Sequence, residues 1–344
     1  MTRHPLLLAV FATDILTLLL LAGAATVAFR VVLHWDPKDT GAQQLRLQAH
    51  SETAALAGAW AFGLHLFATV TLIYALTNIL PDMVPGAMCG TGVLQAMRSG
   101  GPRMLIFRLV GLAILWVWWR MEKVNRELPE SPLAVVNARL VLLALPVLFL
   151  AEHAAWQAAL AMEFQQPVDC CAVIYDQFSS LDDARQTMGV NNPSWMTAFS
   201  ITTIGLLIAA ITTWKTCAHR TVTVLLAVLT MVWLPLSAIA LVRVLAAYHY
   251  GVLHHHCPWC LFLPEHRMLG FPIWAAWMLV ALEAASALAL SFFATNPLPP
   301  LDRMAGRHAA GAARNTVLTA IFFVLMTVGP ALWWRLRFGV WMTG

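Results

Sequence analysis

The chain has 344 residues, of which 60% are hydrophobic and 11% charged, with a formal net charge of +4 and a mean hydropathy of +0.71. Water-soluble domains carry about 45–50% apolar and about 25% charged residues, so this sequence lacks the charge to cover a water-facing surface. A soluble enzyme, a disordered chain and a nucleic-acid binder are excluded together, and the small positive balance is a matter of loop asymmetry.

A membrane-spanning helix needs about 20 mainly apolar residues. Eight stretches qualify: 5–32, 54–80, 104–119, 140–162, 195–214, 222–248, 269–294 and 317–334. The first follows only four residues, is too long for a signal h-region and has no convincing cleavage site, so it reads as a retained helix. Trp116, Trp118, Trp119, Trp195, Trp214, Tyr248, Trp333 and Trp334 gather near span ends, as an interfacial aromatic belt does. The expected fold is an all-α polytopic membrane protein of about eight transmembrane helices without a soluble domain. Residues 296–315, with their Pro and Arg content, read as a linker.

Loops after the odd-numbered spans hold twelve of the 21 Lys and Arg residues; the opposite side holds seven, and Arg108 and Arg243 lie within spans. The richer side is expected to be cytoplasmic. Loops two, four and six then face outward, and with them Cys89, Cys170, Cys171, Cys257 and Cys260. Only Cys217 falls on the other face. Five of six thiols share the side on which disulfides persist.

The sharpest motif is His256-Cys257-Pro258-Trp259-Cys260, just before a span. Two thiols at this spacing can cycle between dithiol and disulfide. The attacking species is the thiolate, which a helix N-terminus stabilises. His254, His255 and His256 add positive potential when protonated. The same residues offer soft and imidazole donors to copper or zinc, and a passive disulfide is the plainest alternative. Glu152 and Glu283 near mid-span, with His153, suit either a proton relay or interhelical hydrogen bonds. Asp14, Arg108 and Arg243, nearer span ends, read as snorkelling groups. His65 and His153 make a weak haem pair, and no Cys-x-x-Cys-His attachment is present, because Leu261 follows Cys260.

The segment Tyr248–Cys260 leading into a span resembles the active-site segment of the vitamin K epoxide reductase family, which places a Cys-x-x-Cys at the extracytoplasmic start of its last core helix. Asp169-Cys170-Cys171-Ala172-Val173, continuing to Gly189-Val190-Asn191-Asn192-Pro193, is similar to the family's preceding loop. The periplasmic disulfide-forming quinone reductases share the same four-helix logic. The resemblance covers about residues 136–294 and implies three parts: three additional helices with the Cys89 loop (1–135), a four-helix thiol-redox core (136–294), and a linker with a last helix (295–344).

What the resemblance implies for function is an electron path. A periplasmic, thioredoxin-like thiol protein reduces Cys170 and Cys171, these reduce Cys257, and the Cys257–Cys260 pair passes electrons to a quinone. That cofactor, ubiquinone or menaquinone, is expected near Cys260 beside Trp259, Asn191 and Trp274, in the membrane of a bacterial cell. Cys89, in a segment that weakly echoes the loop pattern, is either a third relay point or part of a glycine-rich turn. One departure is that Cys170 and Cys171 are adjacent. They form an unusual, strained disulfide with each other, or one pairs with Cys257 and the other with Cys89. Two further readings stand beside this one: a copper- or zinc-handling membrane protein, and a non-catalytic subunit of a larger membrane complex.

Overall fold

A computed structural model describes residues 4–36, 39, 41–128, 131–163, 168, 193–216, 219–252, 255–294 and 300–342. Among them there is no strand, and eight helices are long and apolar enough to cross a membrane. They are α1 (Pro5–His34), α2 (Ala42–Asn78), α3 (Gly100–Arg126), α4 (Ala134–Glu163), α5 (Pro193–Lys215), α6 (Arg220–Tyr250), α7 (Gly270–Ala294) and α8 (Leu301–Phe338). Hydrocarbon offers no partner to a backbone N–H or C=O, and a helix satisfies both within its own segment. The chain is an all-α, multi-pass membrane protein.

Several helices outrun their apolar stretches. α2 starts at Ala42, α3 runs on to Arg126, and α8 starts at Leu301 inside the expected linker. An apolar window detects only the lipid-embedded part, whereas helical hydrogen bonds propagate until something stops them. In the first turns of α8 the arginines Arg303, Arg307 and Arg314 are exposed while Ala305, Ala309 and Ala313 are buried. That amphipathic spacing makes residues 301–315 helix instead of linker.

The helices fall into two compact units. One comprises Met1–Pro85, Val93–Val168 and Leu298–Met304; the other comprises Gly86–Gly92, Asp169–Pro297 and Ala305–Gly344. In the first, α1 packs on α2 and α4, α3 packs on α4, and α2 meets α3 sparsely. Sequence neighbours run antiparallel, so this is an up-down four-helix bundle. In the second, α6 packs on α5 and α7. Its Trp233 is fully buried, donates to Thr203 Oγ1 at 2.9 Å, and meets the Phe323 ring of α8 edge-on at 5.2 Å. The expected grouping of spans four to seven over 136–294 therefore differs from the packing, which keeps α4 with α1 and α3.

A buried ion cluster explains where α4 belongs. Arg108 of α3 is 1% exposed and Asp14 of α1 is 3% exposed. The Arg108 guanidinium donates through Nη1 and Nη2 to both oxygens of Asp14, and through Nη2 to Glu152 Oε1 of α4 at 3.0 Å. His65 of α2 donates its Nε2–H to the Arg108 carbonyl at 3.0 Å. Arg108 and Asp14 are thus not snorkelling; they neutralise each other in the interior and tie four helices together. His65 is a hydrogen-bond donor in this cluster. Glu283 belongs to the other unit, where Asn315 Nδ2 donates to its Oε1 at 3.2 Å.

Removing one partner of a buried pair strands the other's charge, at a cost of about 3–5 kcal/mol. Arg108 serves two carboxylates, so Arg108→Ala is expected to lower the unfolding temperature in detergent more than Asp14→Ala or Glu152→Ala. An equal or smaller effect of Arg108→Ala, by thermal unfolding followed by circular dichroism, contradicts this account of the bundle.

Candidate functional site

The site is built from the end of α6, the loop after it and the segment Gly86–Gly92, all within the second unit. Near its end α6 widens into a π-helical turn at Leu241–Leu245, a distortion that re-aims backbone groups and recurs at functional positions. The Val242 carbonyl there accepts the Nδ1–H of His256 at 3.2 Å. The helix stops at Gly251, whose φ of 66° is the left-handed conformation glycine adopts without strain. Tyr250, the last helical residue, donates its hydroxyl to the Cys257 carbonyl at 2.5 Å, and its ring meets His255 and His266 edge-on at 4.6 and 4.7 Å. The cysteine loop is therefore pinned from both sides of Cys257.

Cys257 does not sit at the start of α7, as the motif's position before a span led one to expect. Cys260–Phe262 forms a separate 3-10 turn and α7 begins only at Gly270. The break has a clear cause. Pro264 keeps Leu263 out of the helical region, at ψ 150°, and Arg267 and Met268 are left-handed at φ 55° and 53°. The helix-dipole effect expected of α7 is replaced by local donors.

Cys89 Sγ lies 3.3 Å from Cys257 Sγ, across 168 residues of sequence. Thr91 Oγ1 is 3.8 Å from the same Cys257 sulfur. Between them, Gly90 allows the close approach: a Cβ there meets the Trp259 ring at 2.8 Å, so any side chain pushes the indole away. Cys89 is held in a disulfide, while Cys257 and Cys260 are reduced thiols outside any disulfide. The Sγ atoms of Cys89, Cys257 and Cys260 all lie within 4.8 Å of one another. Exposure is 1% for Cys89 and Cys257 and 8% for Cys260, with Tyr250, Trp259 and Leu263 packed around them.

The Cys257 thiol is pulled down to about 7: the Cys260 thiol donates to it most strongly, against the burial that opposes ionisation. The backbone N–H groups of Trp259 and Cys260 and the Thr91 hydroxyl add to the lowering. These are neutral donors. Burial and the neighbouring His255 hold His266 below the ordinary imidazole range, and His256 spends its Nδ1–H on a carbonyl. Among the described residues, no imidazolium is one of the groups that lower the Cys257 thiol.

Of the residues expected at the site, Cys89, Cys257, Cys260 and Trp259 are brought together. Cys170, Cys171 and Asn191 lie outside the described residues, as do Cys217 and His254. Trp274 stands apart from the sulfurs: it is in α7, 5.4 Å ring to ring from Trp277, and packs on the main core of the unit. Thr91 and Tyr250 were not anticipated, although each sits close in sequence to a cysteine motif. Comparison of the chain with family models, curated proteins and solved structures finds no match.

Because the thiol is held down by donors, Cys257 is expected to be mainly thiolate above pH 7 and to lose that form as pH falls below it. Cys260→Ala, which removes the donor, should move the midpoint of thiolate absorbance upward by roughly one pH unit, and Thr91→Ala by less. A midpoint unchanged in both variants contradicts the assignment of these donors.

Proposed function

We propose that the protein is a membrane thiol–disulfide oxidoreductase, resembling the vitamin K epoxide reductase family, with Cys257 as nucleophile, Cys260 as resolving thiol and the Cys89 bridge as exchange partner. One observation carries this reading: a free thiol is 3.3 Å from a sulfur that is already in a disulfide. The lowered Cys257 thiol supports it, since an attacking thiol works best with a pKa near ambient pH.

The exchange balances in two steps. The Cys257 thiolate attacks Cys89 Sγ, forming a Cys257–Cys89 bond and releasing the former partner of Cys89 as a thiolate. Cys260, giving up its proton, then attacks Cys257 Sγ, forming Cys257–Cys260 and releasing the Cys89 thiolate. The dithiol is oxidised by two electrons and the Cys89 bridge is reduced by two; the reverse sequence carries electrons the other way. At 1% exposure Cys257 and Cys89 are both shielded from a protein partner. Exchange with an external thioredoxin-like thiol protein is therefore proposed to enter through the other cysteine of the Cys89 bridge.

A membrane quinone is the proposed second redox partner. When bound, it supplies a two-electron, two-proton acceptor. The Trp274 indole N–H is buried without an acceptor among the described residues, and a quinone carbonyl is an acceptor, but Trp274 packs on the main core and not around the sulfurs. Trp259 adds a flat ring beside the thiols. The Lys and Arg distribution supports an extracytoplasmic placement of the cysteine loops in a bacterial inner membrane.

A second reading is favoured by the sulfur cluster itself, because three sulfurs within 4.8 Å suit a soft cation once the Cys89 bridge is reduced. The described histidines turn elsewhere, His255 to Tyr250 and His256 to Val242.

Cys260→Ala, which lacks the resolving thiol, is expected to accumulate a Cys89–Cys257 disulfide detectable by mass spectrometry of the digest. Cys257→Ala is expected to lower quinone-coupled thiol oxidation by roughly 10³-fold or more. Unaltered turnover in Cys257→Ala, with no mixed disulfide in Cys260→Ala, overturns the redox reading. Stoichiometric copper or zinc uptake by the reduced protein, lost in Cys89→Ser, then favours the metal site.

A further inference from the structure

The first unit contains a cavity of about 520 Å³ at the end of the bundle where α1 and α3 finish and α2 and α4 begin. Its volume is in the range of small-molecule sites, about 300–1,000 Å³. All four helices give one face to it, and none of the sulfur chemistry involves it.

The lining divides by chemistry. Ala24 and Ala28 of α1 and Ala134 and Ala138 of α4 leave an apolar recess, with the Trp118 ring of α3 as a wall. Small residues on facing helices ordinarily draw the backbones together; here they line open space. The polar part holds two carboxylates, Glu52 of α2 and Glu122 of α3, against one cation, Arg126. Arg126 Nε donates to Glu122 Oε1 at 2.9 Å with its side chain 56% exposed, so it leans outward.

The deciding atom is on Asn137. Its Nδ2 donates to Glu122 Oε2 at 2.7 Å, which fixes the orientation of the amide. Its Oδ1 is then a buried acceptor that receives no hydrogen bond, on a side chain that is only 4% exposed and belongs to the lining of the cavity. An acceptor left unmet in this way carries an uncompensated desolvation penalty. What completes it is a donor, and the excess of carboxylate favours a donor that carries positive charge. An indole wall beside that point adds cation–π attraction.

We propose that this cavity is a binding site for an ammonium group attached to an apolar body, with Asn137 Oδ1 and Glu122 receiving the ammonium and the alanine recess holding the body. The chemistry has two sources, the headgroup of an aminophospholipid or a free hydrophobic amine. The site is independent of the redox reading.

The test is equilibrium binding of labelled decylamine to the full-length protein in phosphatidylcholine nanodiscs, with empty discs subtracted. Saturable binding is expected, weakened roughly tenfold or more in Glu122→Gln and in Asn137→Leu, and lost in Ala138→Phe, which fills the recess. Decyltrimethylammonium, a cation without N–H groups, should bind more weakly than decylamine, and decanoate should not compete. Discs containing phosphatidylethanolamine that suppress decylamine binding identify the lipid headgroup as the source; unchanged binding identifies a free amine. Glu122→Gln keeps the shape of the side chain, and a wild-type Cys257 thiolate midpoint confirms that each variant is folded. Equal competition by decanoate, or saturable binding unchanged in both Glu122→Gln and Asn137→Leu, overturns the proposal.

Discussion

A polar group inside a bilayer has no water to turn to, and this constraint governs both halves of the molecule. It makes the backbone helical across eight spans. It also requires that any non-helical stretch carry its own hydrogen-bond partners. The loop after α6 lies between spans, but its buried groups face the same demand and meet it locally. Tyr250 bonds the Cys257 carbonyl, His256 bonds Val242, and short 3-10 turns close the backbone from Cys260 to His266. The loop is held in one shape by the same contacts that satisfy it, which places a sulfur with the accuracy an exchange reaction needs.

The same constraint makes a thiolate expensive there. Burial raises the Cys257 thiol, and each pKa unit corresponds to 1.36 kcal/mol between the two protonation states. The opposing donors win because several converge on one sulfur: a thiol, two backbone N–H groups and the Thr91 hydroxyl. Hydrogen bonds to a charged acceptor are stronger than neutral ones, about 1.5–3 kcal/mol each. No full positive charge is needed. That matters for a buried sulfur cluster, since a fixed cation would itself require a buried counter-ion, as Arg108 does with Asp14 and Glu152.

Helix count and type were legible in the sequence because lipid simplifies the code to long apolar runs. Helix ends were less so: the polar first turns of α8 carry arginines at helical spacing, and hydropathy does not register them. The cysteines were legible as a set sharing one face, which follows from alternating spans. That Cys89 in particular meets Cys257 was not, because nothing local specifies a contact 168 residues away. The Gly90 pairing with the Trp259 ring shows what does specify it: a missing side chain opposite a large one. The late start of α7 has a local cause in Pro264, which restricts Leu263, although the motif's position before a span pointed to an earlier start. Arg108 was misread as a snorkelling group because its two acidic partners lie on α1 and α4, and a single helix shows only an arginine in an apolar run.

For the proposed exchange, the placement of Cys89 has a kinetic consequence. Residues Gly86–Gly92 belong to the second unit although the chain on both sides of them belongs to the first. Cys89 is thus delivered to Cys257 by the fold and not by diffusion. An exchange between tethered groups runs at an effective concentration set by the tether, millimolar for short flexible links and higher where contact is already made. With the sulfurs 3.3 Å apart, encounter is removed from the cost of the step. What remains is ionisation of Cys257 and the alignment of the attacking sulfur with the bond it breaks. The local donors address the first of these. The pinned loop, the Gly90–Trp259 contact and the surrounding apolar side chains address the second, and they do so within a site closed to competing thiols.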